Sequence, residues 1–398
     1  MKKSSNGLAR SVYLLTLALF VNIAIAASPK DPGALVIGVI LCALIWYVHL
    51  IVQKFFSKGD KYLVSFATML SVIGIAMIYR INSALAIRQV MWFVFGVALY
   101  SIIVIILPDL KRFAKLRYLY MILTVAFVSM AMFFGTEVNG AKNWVFIKGF
   151  SFQPSEFGKI FFVLYLASAL RTYRNVKSLI EPMIVVAITL GFMVLQKDLG
   201  SALMFGSIAL AMVYVATNRF KYILAAFGIG ALGATASYFI FDHFKVRVSM
   251  WLDPFKDPHG FGYQIVQGLY AIASGGLLGR GLYQGSPSMV PVRESDYIFA
   301  ILAEEFGMIF SIGILVIYFL MFYRSIRVAL KVRSVFSSLL TVGFSVMIAM
   351  QAIVIVGGVL NVIPLTGITL PLVSYGGTSM LTVFFALGII QKTSEEAV

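Results

Sequence analysis

The sequence predicts an all-α integral membrane protein, a polytopic bundle of about 12 transmembrane helices with a large outer loop and a broken region at the last helix. Two observations carry this. Of 398 residues, 61% are hydrophobic and 12% charged, against roughly half and a quarter in soluble globular chains. The apolar residues also gather in runs close to the ~20 needed to cross a hydrocarbon layer of ~30 Å. This composition excludes a disordered chain, a collagen-like repeat and a small disulfide scaffold. The lone cysteine, Cys42, lies inside an apolar run, which excludes an intrachain disulfide and a cysteine metal site.

Apolar segments fall at roughly 11–27, 34–52, 62–79, 89–107, 118–135, 157–170, 179–195, 200–217, 221–241, 297–322, 336–360 and 378–391. Each is read as a helix, several of them short or tilted. The first follows Lys2 and Lys3 and closes on Ala24, Ile25 and Ala26, the layout of a cleavable signal. Its apolar stretch exceeds the usual signal core of about 7–15 residues, so it is read as a retained helix.

The net charge of +16 would point to nucleic acid in a soluble chain. Here the basic residues alternate between connections. Lys2, Lys3, Arg10, Lys54, Lys58, Lys61, Lys111, Arg112, Lys115, Arg117, Arg171, Arg174, Lys177, Arg219, Lys221, Arg324, Arg327, Lys331, Arg333 and Lys392 fall on one side, 20 of the 32. Positively charged loops stay inside. Both termini are therefore expected in the cytoplasm of a bacterial cytoplasmic membrane, and no nucleic acid is expected as a partner.

Two outer connections are long, about 136–159 and 242–296, and loops of that length usually carry function. In the first, Pro154 suits the first turn of a helix and Glu156 its positive end. Glu156 and Lys159, three residues apart, share a helix face; the plainer reading is a capped helix start with a surface ion pair. In the turn Gln196-Lys197-Asp198-Leu199-Gly200, Asp198 is first of all a helix cap. The second long connection crowds glycines and aromatics with Arg247, Arg280 and Arg293 ahead of the next helix. Asp296 stands where that connection enters the bilayer, and Glu304 and Glu305 lie about two turns deeper. Carboxylates at that depth face a bundle interior or a wet cavity, either as functional groups or as polar glue. Pro364, Gly367, Pro371, Gly376 and Gly377 argue against a continuous helix in that stretch. Irregular backbone at membrane depth survives only when buried or lining a cavity, which predicts a cavity near the outer leaflet. His49, His243 and His259 have no zinc-binding spacing, and there is no nucleotide loop. An enzyme at this face would need a preactivated, lipid-linked substrate.

The ordered motifs NGAKNW, FQPSEFGK, QKDLGSA, GYQIVQGLYAIASGGLLGRG, SDYIFAILAEEFG and PLVSYGGTS resemble the SEDS family (shape, elongation, division and sporulation), the RodA, FtsW and SpoVE group, over roughly residues 62–391. The resemblance implies a core of about ten helices, so residues 1–60 read as an N-terminal two-helix addition and 61–398 as the glycosyltransferase core. It implies a peptidoglycan glycosyltransferase that polymerises lipid II beside a class B penicillin-binding protein, for cell shape, division or sporulation. Two departures stand out. Many members carry a proline, a glutamate and a histidine before the key aspartate; Pro291 is kept here, but Val292 and Glu294 occupy the other positions. Lys197 replaces a more usual proline.

Joining the 4-hydroxyl of one lipid-linked sugar to the anomeric carbon of another needs a base and positive charge against the departing diphosphate. Asp296, retained at the family's aspartate, is the expected base. Lys159, Arg247 and Arg280 are the candidate cations, in that order, or a divalent cation (Mg or Mn) serves instead. Glu156 and Asp198 would orient Lys159 or hold that metal. Alternative readings are a lipid II flippase or other lipid-linked-sugar transporter, and a noncatalytic scaffold. A flippase is disfavoured because the unusual residues gather at one face.

Overall fold

The computed structural model describes residues 2–27, 29–55, 59–107, 109–138, 140–147 and 150–397. Lys58 of the basic set, Asn139, Lys148 and Gly149 of the first long connection and the side chain of His243 lie outside the described residues. Every predicted apolar run is helical. In chain order the helices are α1 (Lys2–Ala26), α2 (Gly33–Phe55), α3 (Tyr62–Ile81), α4 (Ser83–Ile106), α5 (Arg117–Phe134), α6 (Pro154–Leu170), α7 (Ile180–Leu195), α8 (Leu199–Thr217), α9 (Lys221–Ile240), α10 (Asp242–Leu252), α11 (Tyr263–Gly275), α12 (Ile298–Lys331), α13 (Val335–Val359) and α14 (Gly377–Glu396). Helices α10 and α11 are additional, set within the second long connection. Among the described residues, ten helices are long and apolar enough to cross a membrane. Of the twelve expected runs, α6 and α14 lie outside that set, α6 with 17 residues that include Glu156 and Lys159, and α14 with a polar run from Lys392 to Glu396.

Helices α3 and α13 form the middle of the bundle. Helix α3 is buried along its length from Leu63 to Tyr79, as expected of a helix that is apolar all round. Its hydroxyls bond back to their own helix, Thr68 to Val64 O and Ser71 to Ala67 O. Helix α13 packs against α6, α8, α12 and α14. Helices α1 and α2 lie against α3, with α2 also touching α4, and two polar ties hold them. His49 Nε2 lies 3.1 Å from Ser65 Oγ, and the Tyr79 hydroxyl donates to Asp31 Oδ2 at 2.6 Å. Helix α9, by contrast, has nearly all its side chains facing outward.

The first long connection contains a small antiparallel sheet absent from the sequence reading: β1 (Thr136–Val138), β2 (Ala141–Ile147) and β3 (Phe150–Phe152), in that spatial order. The register pairs Thr136 with Trp144 and Val145 with Phe152. Three-residue outer strands are too short to show an alternating pattern. Lys142 N donates to Gln196 O at 3.0 Å, which ties the sheet to the α7–α8 turn.

Backbone regularity fails at two places inside the bundle. Helix α12 has 34 residues, but Gly307 breaks it at φ 82° and ψ 175°; unbroken, it would be ~51 Å long. The freed groups bond to residues 276–281: Arg280 N and Gly281 N donate to Glu304 O and Glu305 O at 2.9 Å, while Met308 N and Ile309 N donate to Gly276 O and Leu277 O at 3.0 and 3.2 Å. Only glycines admit this contact, since a Cβ at Gly279 would lie 2.3 Å from Glu305 O. The second failure is the expected one: residues 360–376 are non-helical, between α13 and α14. Helix α3 presses onto that segment, where a Cβ at Gly74 would sit 2.3 Å from Val373 O and 2.5 Å from its Cα.

Because those obstacles are backbone, Gly74→Ala should cost about 1–3 kcal/mol through overpacking. It should lower the melting temperature of the purified protein in detergent. Gly228→Ala on α9, where a new Cβ meets nothing within 4 Å, should not.

Candidate active site

Five of the charged residues singled out from the sequence, Glu156, Lys159, Asp198, Arg247 and Asp296, gather where the sheet, α10 and the 360–376 segment meet the helix ends. Pro154 starts α6 and Gln153 precedes it in extended conformation. One turn in, Lys159 Nζ lies 2.8 Å from Glu156 Oε1. The pair is no surface bridge: Lys159 is 3% exposed and Glu156 6%. Lys159 also donates to Gln351 Oε1 at 3.3 Å, and Gln351 Nε2 donates to Thr369 O and to the hydroxyls of Thr369 and Ser379 at 3.0–3.2 Å. A buried glutamine on α13 thus links the ion pair to the non-helical segment.

Asp198 does cap α8. Its Oδ1 accepts from Ser201 N at 2.9 Å, and its Oδ2 accepts from Ser201 Oγ, Asn143 Nδ2 and Gln153 Nε2 at 2.9–3.2 Å. It therefore joins the sheet to the start of α6. Among the described residues Lys159 makes no ion pair with Asp198; Asp198 instead holds Gln153, the residue before α6. Lys197, at φ 59°, turns the chain ahead of the cap.

Helix α10 is clamped to the non-helical segment. Trp251 Nε1 donates to Asn361 O, and Asn361 Nδ2 donates to Trp251 O. This delivers Arg247, which donates to Leu365 O at 3.2 Å and interacts electrostatically with both Asp198 and Asp296. Burial pushes the Arg247 guanidinium down from its ordinary range, and the two carboxylates favour its charged form.

Asp296 is half-buried at the end of a turn. Ser295 Oγ donates to its Oδ1 at 2.9 Å, and Gly367 of the non-helical segment lies beneath, its Cβ position 3.7 Å from Oδ2. Burial pushes the carboxyl up to about 6; the Ser295 bond and Arg247 oppose the rise, and Glu294 adds to it.

Arg280 sits elsewhere. It is 46% exposed and lies 3.5 Å from Glu304 Oε1, in a group where Arg80 pairs with Glu305 at 3.1 Å and stacks on the Tyr283 ring. Ser286 N also donates to Glu304 Oε1. Glu304 and Glu305 thus fasten residues 276–286 to α12. No group of three or more histidines, cysteines or carboxylates able to hold a metal occurs among the described residues. The donor set explains this: the Asp198 oxygens already accept from four groups and Glu156 is paired with Lys159, so the residues do not fit a ready divalent site. Gln351, Asn143, Gln153 and Ser374 were not anticipated; a lone glutamine inside an apolar run is the signal that marks Gln351.

Fold and site together define a polytopic membrane protein with a buried polar cluster where its sheet and non-helical segment meet the helix ends. The model of the family described as cell cycle protein, FtsW/RodA/SpoVE, matches residues 61–398. The chain belongs to this family. The peptidoglycan glycosyltransferase RodA of Mycobacterium tuberculosis is 34% identical over 389 residues, covering 90% of this chain and 83% of the relative. Stage V sporulation protein E of Bacillus subtilis is 30% identical over 358 residues, covering 85% and 97%. Among solved structures, a chain described under "Structural coordination of polymerization and crosslinking by a peptidoglycan synthase complex" aligns with a TM-score of 0.74 at 27% identity, over 85% of this chain and 98% of that one. An aspartate-to-alanine variant of the rod-shape-determining protein RodA of Thermus thermophilus aligns with a TM-score of 0.64 at 25% identity, over 84% and 97%.

Removing one partner of a buried pair leaves an uncompensated charge, so Lys159→Met should cost about 3–5 kcal/mol. Thermal melts should show Lys159→Met combined with Glu156→Gln to be more stable than Lys159→Met alone.

Proposed function

We propose that this chain polymerises lipid II, an undecaprenyl-diphosphate-linked disaccharide pentapeptide, at the outer face of the cytoplasmic membrane, with Asp296 as its base. The chain is a peptidoglycan glycosyltransferase, the activity for which relatives at 31–34% identity are named. The outer-face assignment, with both termini inside, rests on the 20 basic residues of the opposite side.

The observation that carries the role of Asp296 is its placement. Its carboxyl lies over Gly367 with Arg247 as the nearby cation shared with Asp198. In the reaction the 4-hydroxyl oxygen of one sugar bonds to the anomeric carbon of another. The anomeric carbon–oxygen bond to the diphosphate breaks, and its electron pair leaves on the diphosphate. The hydroxyl proton passes to Asp296. A carboxylate with raised proton affinity accepts that proton better than an ordinary one, and Arg247 offsets the charge that develops on the leaving group. Lys159, engaged with Glu156 and Gln351, supports the floor of the site, and Arg280 serves the α12 junction.

Asp296→Asn keeps the volume and removes the base, so polymerisation of purified lipid II should fall by about 10²- to 10⁴-fold while the melting temperature stays near parental. A parental rate would return Asp296 to a structural role. The active form is ionised, so kcat/KM should rise with pH through a midpoint near 6, level off above it, and be lost below.

A solved chain similar to this one is described as part of a complex that coordinates polymerization and crosslinking. We therefore assign it a separate partner, a class B penicillin-binding protein. Co-reconstitution in vesicles should raise the polymerisation rate, and an unchanged rate with every such protein of the same genome would remove the pairing.

A further inference from the structure

The turn that presents Asp296 is weak by itself. Ser295 N, Asp296 N and Tyr297 N all donate to one acceptor, Val292 O, at 3.1–3.3 Å, and Val292 adopts φ 50°, a conformation costly for a β-branched residue. A turn that shares one carbonyl among three donors is set by whatever holds it from outside. Here the two residues before the aspartate are held by the non-helical segment. Tyr375 N donates to Glu294 O at 2.8 Å, and Ser374 Oγ donates to Ser295 O at 2.5 Å.

That segment is anchored in turn. Ser374 Oγ also accepts from Leu370 N at 2.9 Å. Its carbonyl accepts from Gln89 Nε2 at 3.1 Å, while Gln89 Oε1 accepts from Gly376 N at 3.2 Å. Gln89, on α4, is 0% exposed. A primary amide buried in an apolar helix must satisfy a donor and an acceptor together. Both ends of this amide go to backbone groups of residues 374 and 376, an arrangement that leucine matches at neither end and glutamate at one.

We propose that Gln89 and Ser374 are positioning residues for Asp296. Neither has a role in contacting substrate. Gln89 fixes the SYGG turn, Ser374 fixes the Ser295 carbonyl, and Ser295, so held, keeps its hydroxyl on Asp296 Oδ1. The pair sets both the reach of the carboxylate and its hold on a proton. This rests on the reading of Asp296 as the base.

The test uses the full-length protein polymerising lipid II, with Ser374→Ala, Ser374→Thr and Gln89→Glu. Misplacing a reacting group lowers turnover more than binding, so Ser374→Ala should lose about 10- to 100-fold in kcat with KM held within about threefold. The rising limb of its pH profile should move above the parental midpoint, because the Ser295 hydroxyl no longer donates reliably to the carboxylate. Ser374→Thr, which keeps the hydroxyl, should recover most of the rate. Gln89→Glu keeps the acceptor for Gly376 N and loses the donor to Ser374 O, and should show a smaller loss with a shift in the same direction. On an Asp296→Asn background, Ser374→Ala should lower the residual rate no further.

Parental kcat and pH profile in Ser374→Ala and Gln89→Glu, with Asp296→Asn inactive, would overturn this proposal alone. So would a loss with an unmoved pH limb that persists undiminished on the Asp296→Asn background, which marks a purely structural role. If Ser374→Ala melts well below the parental protein, Gln89→Glu, matched in volume, decides by the same criteria. Asp296→Asn at the parental rate would overturn the base assignment and this proposal with it.

Discussion

The constraint on which the structure depends is that hydrocarbon offers no hydrogen bonds, so each backbone group within the bundle must find its partner in protein. Regular helices meet it internally. At Gly307 and over residues 360–376 the backbone is irregular, and there the requirement forces distant pieces of chain together. Residues 276–281 supply donors and acceptors to the interrupted turn of α12. Gln89, Gln351, Asn361 and Trp251 serve the segment between α13 and α14. These polar side chains answer backbone groups that a regular helix would have satisfied by itself.

The site follows from that requirement. The 360–376 segment lies under Asp296 through Gly367, binds Arg247 through Leu365 O, and reaches the Glu156–Lys159 pair through Thr369 and Gln351. Asp198 joins the same neighbourhood through Asn143 of the sheet and Gln153. A single non-helical stretch therefore meets groups contributed by α6, α10, α13 and the turn before α12. Burial, which raises the proton affinity of Asp296, and the nearby guanidinium, which lowers it, come from the same packing.

Much of this was legible in the sequence, for physical reasons that also mark where reading stops. Helix positions follow from apolar length alone, and every run proved helical. The break at 360–376 was visible because Pro364 and Pro371 remove donors and the glycines remove helix preference. The break at Gly307 was not: one glycine inside an apolar run is ordinary in membrane helices, and only contact with residues 276–281 makes it a rupture. Glu156 and Lys159 were paired correctly by their spacing, but spacing says nothing of depth, so the bridge was expected at the surface and lies buried. Arg247 and Arg280 were both candidate cations, ranked in that order although they sit in the same glycine-rich connection. The fold sends one to Glu304 and the other towards Asp296 and Asp198.

The hold of Gln89 on Ser374 spans 285 residues of sequence, and this has a consequence for the order of manufacture. Ribosomes add about 5–20 residues per second, so about 14–57 s separate the emergence of the glutamine from that of its partner. Within that interval Asp296 emerges before the segment that holds its turn. Residues 360–376 follow α1 to α13, so a chain cut short before them would insert as a set of helices without the groups that hold the turn at Asp296.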